Sequence, residues 1–249
     1  MKRLCSLLLA AVLALTLLPS AALAADAPMT TSEAGAEMIA DFEGYQQYAY
    51  YDGGQWYIGY GTACGRYDYP NGVTEEEALA LMQADLADME ASLNDFLQTY
   101  DITLTQYQFD ALMSLTYNLG AGWMNPDYRL GEYLINGVDN YSKDEIVNAI
   151  ATWCHVGSTP VESLARRRLQ EAYLFLYGTY ENNGAEEYVY VHYIAGTGEV
   201  AHTTMFYPIN HTYGTLQTPT HTSQYFQGWY TAGNTLLTAD DIAVGNVSV

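Results

Sequence analysis

Basic residues are scarce in this chain. Only 8 lysines and arginines stand against 29 aspartates and glutamates among 249 residues. Two of the eight, Lys2 and Arg3, precede an apolar run from Leu7 to Leu18, then Pro19, small residues and Ala22-Leu23-Ala24. That is the pattern of a secretory signal peptide with cleavage expected after Ala24, and Cys5 lies too early for a lipoprotein box. The expected mature chain keeps six basic residues against the same 29 acidic ones, a formal charge of about −23. Nucleic acid and anionic lipid surfaces are therefore excluded as expected partners, because binding either depends on neutralising phosphates with Lys and Arg. A neutral or mixed-charge polysaccharide remains open.

Long hydrophobic runs are also missing. The one at Leu7–Leu18 is too short for a membrane anchor and no later segment approaches a spanning length, so the expectation is an exported chain without an integral membrane segment, secreted or held at the cell surface. Cysteine is rare too. Of three, Cys64 and Cys154 would survive processing; with only His155 nearby they fall short of a four-ligand metal set. No metal or cofactor is expected. In an exported protein the two could form one disulfide, stabilising by about 4 to 5 kcal/mol in the chain-entropy model, or remain as buried thiols; the bridge is the favoured reading.

What the chain has in excess is tyrosine, 24 in all. Aromatic rings are platforms for sugar faces, and equally a way to furnish a surface without lysine. Many fall near the stretch Asp41–Gly61, DFEGYQQYAYYDGGQWYIGYG, which sets Glu43 at the end of a helix-like run beside Gly44 and Asp52 at a Gly-Gly turn. Two acids held close together without a built-in counter-charge suit glycosidic bond cleavage. One protonates the leaving oxygen, while the other activates water or attacks the sugar. The plain alternative is a helix-end residue and a turn former.

From Thr30 to about Tyr180 the chain reads mainly as helices. Thr30-x-x-Glu33, Thr74-x-x-Glu77, Thr103-x-x-Gln106 and Ser142-x-x-Glu145 each fit a capping box at a helix start. Ala78, Leu81, Met82, Leu86 and Met89 recur at helical steps, as do Phe109, Leu112, Met113 and Thr116. Between them Tyr45–Gly72 alternates like short strands, with turns at Gly53-Gly54 and Pro70-Asn71-Gly72. After Asn182-Asn183-Gly184 the helical period stops. Glu187–Ile194, Tyr225–Tyr230 and Val244–Val249 are strand candidates of a second domain, whose roughly 65 residues lie near the lower limit for independent stability. The organisation predicted is a signal peptide over 1–24, a helical domain over 25–180 and a β-rich domain over 181–249.

Phe42-Glu43-Gly44, Ala49-Tyr50-x-Asp52 and Trp56-Tyr57-Ile58-Gly59-Tyr60-Gly61 together resemble the active-site segment of phage-type lysozymes, glycoside hydrolase family 24. Downstream, Thr74–Ala78, the run Gln108–Gly120, and Trp153 followed by Leu164-x-x-Arg167-Arg168-x-x-Glu171 resemble later motifs of that family in the same order, so the likeness spans about residues 30–178. It implies an α+β, lysozyme-like fold: a mostly helical body with a small β-hairpin lobe. It further implies hydrolysis of the β-1,4 bond between N-acetylmuramic acid and N-acetylglucosamine in peptidoglycan glycan strands, by a monomer. Glu43 would be the general acid, Asp52 would position or activate water, and Asn118, Trp153 and Arg167 would line the substrate cleft. One position departs. Where the family carries a Thr thought to hold the attacking water, this chain has Tyr57, in a turn one residue shorter. A phenol can hydrogen-bond water, but its length leaves the inverting mechanism open. A non-catalytic wall-binding protein and a lytic transglycosylase, which needs the Glu but not the Asp, are the alternatives.

The C-terminal segment has a likeness of its own. Tyr213-Gly214-Thr215-Leu216-x-x-Pro219-Thr220, Phe226-x-Gly228-Trp229-Tyr230 and Leu237-Thr238-x-Asp240 resemble the internalin-type B-repeat of bacterial surface proteins. That implies a small β-grasp-like module serving wall association or acting as a spacer.

Overall fold

The computed structural model describes residues 27–181 and 184–249; the signal-peptide stretch and Asn182-Asn183 lie outside the described residues. The chain opens with helix α1 (Glu33–Glu43) and a three-stranded antiparallel sheet of β1 (Gln46–Asp52), β2 (Gln55–Gly59) and β3 (Thr62–Cys64). Helices α2 (Glu75–Thr99), α3 (Gln106–Leu119), α4 (Arg129–Ile135) and α5 (Lys143–Ala151) follow. A two-residue ribbon, β4 (His155–Val156) with β5 (Thr159–Pro160), leads into α6 (Glu162–Tyr177). Beyond it lie β6 (Tyr188–His192), β7 (Thr204–Pro208), β8 (Trp229–Tyr230), β9 (Leu236–Leu237) and β10 (Val247–Ser248). Among the described residues no helix is long and apolar enough to cross a membrane.

Helix starts are set by side chains. Thr74 with Glu77 and Ser142 with Glu145 form the expected capping boxes at α2 and α5. The other two starts lie two residues beyond the expected ones. Thr105 with Gln108, rather than Thr103 with Gln106, caps α3, and Ser32 rather than Thr30 caps α1. The reason is tertiary. Buried Asp110 accepts from the Ser32 amide at 3.0 Å and the Ser32 hydroxyl at 2.6 Å, and Gln106 bridges the Thr30 carbonyl and Asp110. The entrance of α1 is thereby tied to α3. Gly35 permits the approach, since a Cβ there would come within 2.7 Å of the Asp110 carboxyl carbon.

The body's core joins Ile39, Met82, Leu86, Phe109, Leu112, Trp123, Leu130 and Leu174, with α6 packed against α3 and α5. Phe206 of β7 belongs to the same core. The C-terminal sheet, of order β10-β6-β7, uses both faces. Tyr188, Tyr190 and Phe206 pack on the helical body, while Val189, Val191 and Tyr207 join Tyr193, Tyr213, Trp229, Ala243 and Val249 in a separate small core. Asn148 of α5 seals the junction as a strand would: its amide donates to the Phe206 carbonyl at 2.9 Å and accepts from the Phe206 N–H at 2.8 Å. The C-terminal segment thus completes part of its burial on the helical body. Of the expected strands, Glu187–Ile194 survives as β6. Tyr225–Tyr230 contracts to β8 and Val244–Val249 to β10, and β7, which the sequence pattern did not predict, docks on the body together with β6.

The expected disulfide does not form: Cys64 and Cys154 are both free thiols. They belong to different packing units. Cys64 sits on the hairpin edge opposite Trp56 and packs with the small cluster around Ile58, whereas Cys154 is fully buried in the body's core. Burial pushes the Cys154 thiol up to about 11, so it stays protonated and behaves as a small apolar side chain.

Candidate active site

Glu43 is the last residue of α1. Gly44, at φ 71°, ends the helix with its N–H on the Ala40 carbonyl, and the chain then turns into β1. A carboxylate at a helix C-terminus faces unsatisfied carbonyls and is disfavoured by about 0.3–1 kcal/mol. The fold offsets this with Arg167, whose Nη1 donates to Glu43 Oε1 at 2.8 Å. Arg167 is itself buried, with Nε on Glu171 Oε1 at 3.1 Å, Nη2 on the Ser114 carbonyl at 3.2 Å, and its guanidinium over the Phe42 ring. Glu171 also accepts from the Ser114 hydroxyl at 2.7 Å and from Arg168 Nη2 at 2.8 Å. Arg168 is completely buried, and burial lowers the pKa of its guanidinium. Arg168 Nε lies 2.7 Å from Glu171 Oε2, but the angle is too poor for a hydrogen bond, so this contact is an ion pair only. Two arginines are thus balanced by two glutamates. Glu43 is the member at the rim, its side chain 22% exposed.

The hairpin presents the other candidates. Gly53 and Gly54, with φ of 56° and 98°, make the tight turn that glycine favours, and Asp52 pairs with Gln55 across it. Because residues alternate along a strand, Tyr50, Asp52, Gln55 and Tyr57 share one face, with the Tyr50 and Tyr57 rings 5.9 Å apart; Tyr51 and Trp56 pair on the other at 5.4 Å. Burial and the nearby charges of Glu43 and then Asp52 raise the Tyr50 phenol, so both carboxylates act on the same hydroxyl. Tyr57 is half-buried on the central strand, directly across from Tyr50.

Two contacts fix this lobe to the helices. Tyr117 of α3 donates to the Tyr60 carbonyl at 2.9 Å, and Thr62 donates to Asp85 of α2 at 2.6 Å. Burial, followed by the Glu43 charge, raises the Tyr117 phenol, keeping it a donor. Gly61, at φ 95°, leaves the space beside Glu43 open: a Cβ there would lie 3.9 Å from Glu43 Oε2 and 3.8 Å from the Tyr117 hydroxyl.

Glu43 and Arg167 are therefore brought together from positions 124 residues apart, and the Tyr50 phenol of the hairpin lies near enough to feel the Glu43 charge. Residues 40–171 match the family model described as phage lysozyme. The chain belongs to the phage lysozyme family. Among curated relatives, the endolysin of Bacillus phage B103 is 33% identical over 161 residues, covering 64% of this chain and 58% of that protein. The endolysin of Acyrthosiphon pisum secondary endosymbiont phage 1 is 30% identical over 148 residues, 59% of this chain and 98% of that protein. The chain therefore spans little more than half the length of the Bacillus phage relative. Among solved structures, the endolysin from Escherichia coli O157:H7 phage FAHEc1 superposes with a TM-score of 0.52 at 30% identity, covering 62% of this chain and 98% of that one. The α+β body is thus lysozyme-like. The family match ends at the Glu171 that anchors Arg167, and leaves the C-terminal sheet outside it.

Of the expected cleft residues, Asn118 is exposed near the end of α3, and Trp153 is half-buried, its ring edge-on to Tyr128 at 5.3 Å. Sequence reasoning missed Ser114, Arg168 and Glu171 as supports of Arg167, and Tyr50 as the partner of Tyr57 on the face that carries Asp52. The i,i+4 spacing of Arg167 and Glu171 and the i,i+3 spacing of Arg168 and Glu171 were visible signals for the first group.

Proposed function

We propose that this protein is an exported lysozyme that hydrolyses the β-1,4 bond between N-acetylmuramic acid and N-acetylglucosamine in bacterial peptidoglycan. Glu43 is read as the general acid, with Asp52 positioning or activating the water. The observation that carries the reading is the asymmetric setting of Glu43. Arg167 can only donate, so it commits Oε1 as an acceptor; a proton carried by Glu43 then sits on Oε2, the oxygen beside the gap left by Gly61. A leaving glycosidic oxygen entering that gap would meet the acid's proton. The Arg167–Glu171–Ser114 anchor holds the carboxyl's orientation, which general acid catalysis requires.

Tyr57 and Tyr50 stand on the face that carries Asp52, and we assign them, in place of the family's Thr, to holding the water. Asn118 and Trp153 are read as substrate contacts. The C-terminal segment is read as an accessory module of the internalin B-repeat type, kept at the wall together with the body.

Glu43→Gln keeps the acceptor for Arg167 and removes the acid. Release of muropeptides from purified sacculi should fall by about two to four orders of magnitude. Mass spectrometry of the wild-type digest should show new reducing muramic acid ends. Anhydro ends would make the protein a transglycosylase, and undiminished release by the variant would remove Glu43 from the chemistry.

A further inference from the structure

Where the C-terminal sheet meets the body there is a cavity of about 660 Å³, lined by Arg129, Asp144, Glu145 and Asn148 on the body side and by residues 205–208 and 211–215 on the other. Its size falls within the range of about 300–1,000 Å³ usual for small-ligand sites, which favour domain junctions. Arg129 is its unusual member. The ion pairs among the described residues involve Arg166, Arg167 and Arg168, and Arg129 is in none of them. Its Nη2 donates to His202 Nδ1 at 3.1 Å, which must therefore be an unprotonated nitrogen. A partly desolvated guanidinium without a carboxylate is costly. In a chain with so large an acidic excess, its isolation from the many available carboxylates is specific.

Asp144 supplies the opposite sign. Its Oδ1 accepts from the Tyr188 hydroxyl at 2.7 Å, so the side chain is held at the cavity wall. The far wall is rigid as well. The Tyr207 hydroxyl donates to the Thr215 carbonyl at 3.1 Å and meets Tyr193 at 2.6 Å, and its ring meets Tyr213 edge-on. A cavity with one cation outside any ion pair at one point, and the fixed carboxylates of Asp144 and of Glu145, which accepts from Ser142, at another, matches a ligand that carries both signs. A sulfated or phosphorylated polymer would be repelled by the net charge.

We propose that this cavity binds the short peptide branches of the wall polymer, pairing a peptide carboxylate with Arg129 and an ammonium group with Asp144. The identity of the polymer rests on the function proposed above; the chemistry of the cavity does not. The C-terminal module then completes a peptide site that the body alone lacks.

The test is calorimetric titration of the full chain carrying Glu43→Gln with the synthetic tetrapeptide Ala-γ-Glu-Lys-Ala at neutral pH. Saturable binding with a Kd on the order of 1 mM or tighter is expected, weakened about tenfold by Arg129→Gln through loss of a charge-assisted pair. Thr212→Trp, which fills the cavity from the exposed side and leaves Arg129 in place, should weaken binding equally and decides the matter if Arg129→Gln does not fold. No saturable binding, or binding by either folded variant within twofold of the parent, overturns the proposal. Cleavage of peptide-free glycan strands by the chain with Glu43 intact should be unchanged by Arg129→Gln. If that chain cleaves no glycan at all, the lysozyme reading fails, and the titration still decides whether the cavity takes a peptide.

Discussion

The protein has two β regions built on opposite plans. The N-terminal lobe of β1–β3 has hardly any apolar interior: its buried apolar cluster is Ile58 with Val73 and Ala78 outside the strands, and β1 is exposed along nearly its whole length. The tyrosines of β1 face solvent, with Tyr48 at 60% and Tyr51 at 61% exposure. The C-terminal region instead buries Tyr193, Tyr207 and Tyr213, at 2%, 6% and 6% exposure, in one cluster with Trp229. The tyrosine excess thus has two meanings in one chain. A lobe stabilised by a neighbouring helix can leave one face free beside Glu43, whereas a small module without a helix of its own must spend its rings on a core.

The strongest way to break this contrast is Trp229→Ala. Loss of a buried indole whose Nε1 donates to the Gln217 carbonyl should cost about 3–5 kcal/mol and unfold the module, seen as early protease cleavage within residues 184–249. If the two sheets were equally dependent on their own cores, truncating an aromatic of the lobe would do the same. Asn148→Ala comes next. It strands the buried Phe206 N–H and carbonyl, a loss of about 1–3 kcal/mol for such groups, and should separate thermal unfolding of module and body into two steps. A single unshifted transition would mean that apolar packing alone holds the junction.

In the lobe the effects should be smaller. Thr62→Val removes the bond to Asp85 that fastens β3 to α2 and should cost about 1–2 kcal/mol in denaturant unfolding. Tyr51→Ala removes one exposed cross-strand pair with Trp56 and should shift stability by less than about 1 kcal/mol. A larger shift would show that the lobe has a core of its own after all.

The gentlest probe is pH. His192 and His202 titrate below their ordinary value of 6.5, chiefly through burial. The unfolded chain takes up protons first as pH falls through 6.5, so stability should drop there and level off below the folded pKa values. His192 Nδ1 faces the Thr203 carbonyl and Thr204 hydroxyl, Thr204 also meets His155 Nε2, and His202 faces Arg129, so protonation adds positive charge at the junction. Melting followed from pH 7.5 to 5 should therefore lower the module's transition more than the body's. Equal shifts would argue against a pH-sensitive junction.

Much of the site could be read before folding because its signals are local. Glu43 beside a helix-ending glycine and Asp52 before Gly53-Gly54 are features of a few consecutive residues, and the hairpin turn forms where those glycines accept positive φ. The exact caps of α1 and α3 were not legible, because Asp110 chooses Ser32 across 78 residues. The cysteine pairing was misjudged for the same reason: counting thiols says nothing about which core each one enters.

By itself the sequence determined the helical body, the exposed hairpin, the start of the C-terminal β region and the family membership that the motifs of the first lobe signal. The first three follow from periodicity, turn chemistry and spacing within one element or its neighbours, and the last from the resemblance of those motifs to a known family. Only the tertiary structure decided that Arg167 reaches Glu43 from 124 residues away, that Glu171 and Ser114 hold Arg167 in turn, and that Phe206 enters the body's core while Asn148 closes the seam behind it. Those contacts join residues with no shared local pattern, and they form because buried charges and backbone groups must find partners wherever the packed chain brings them.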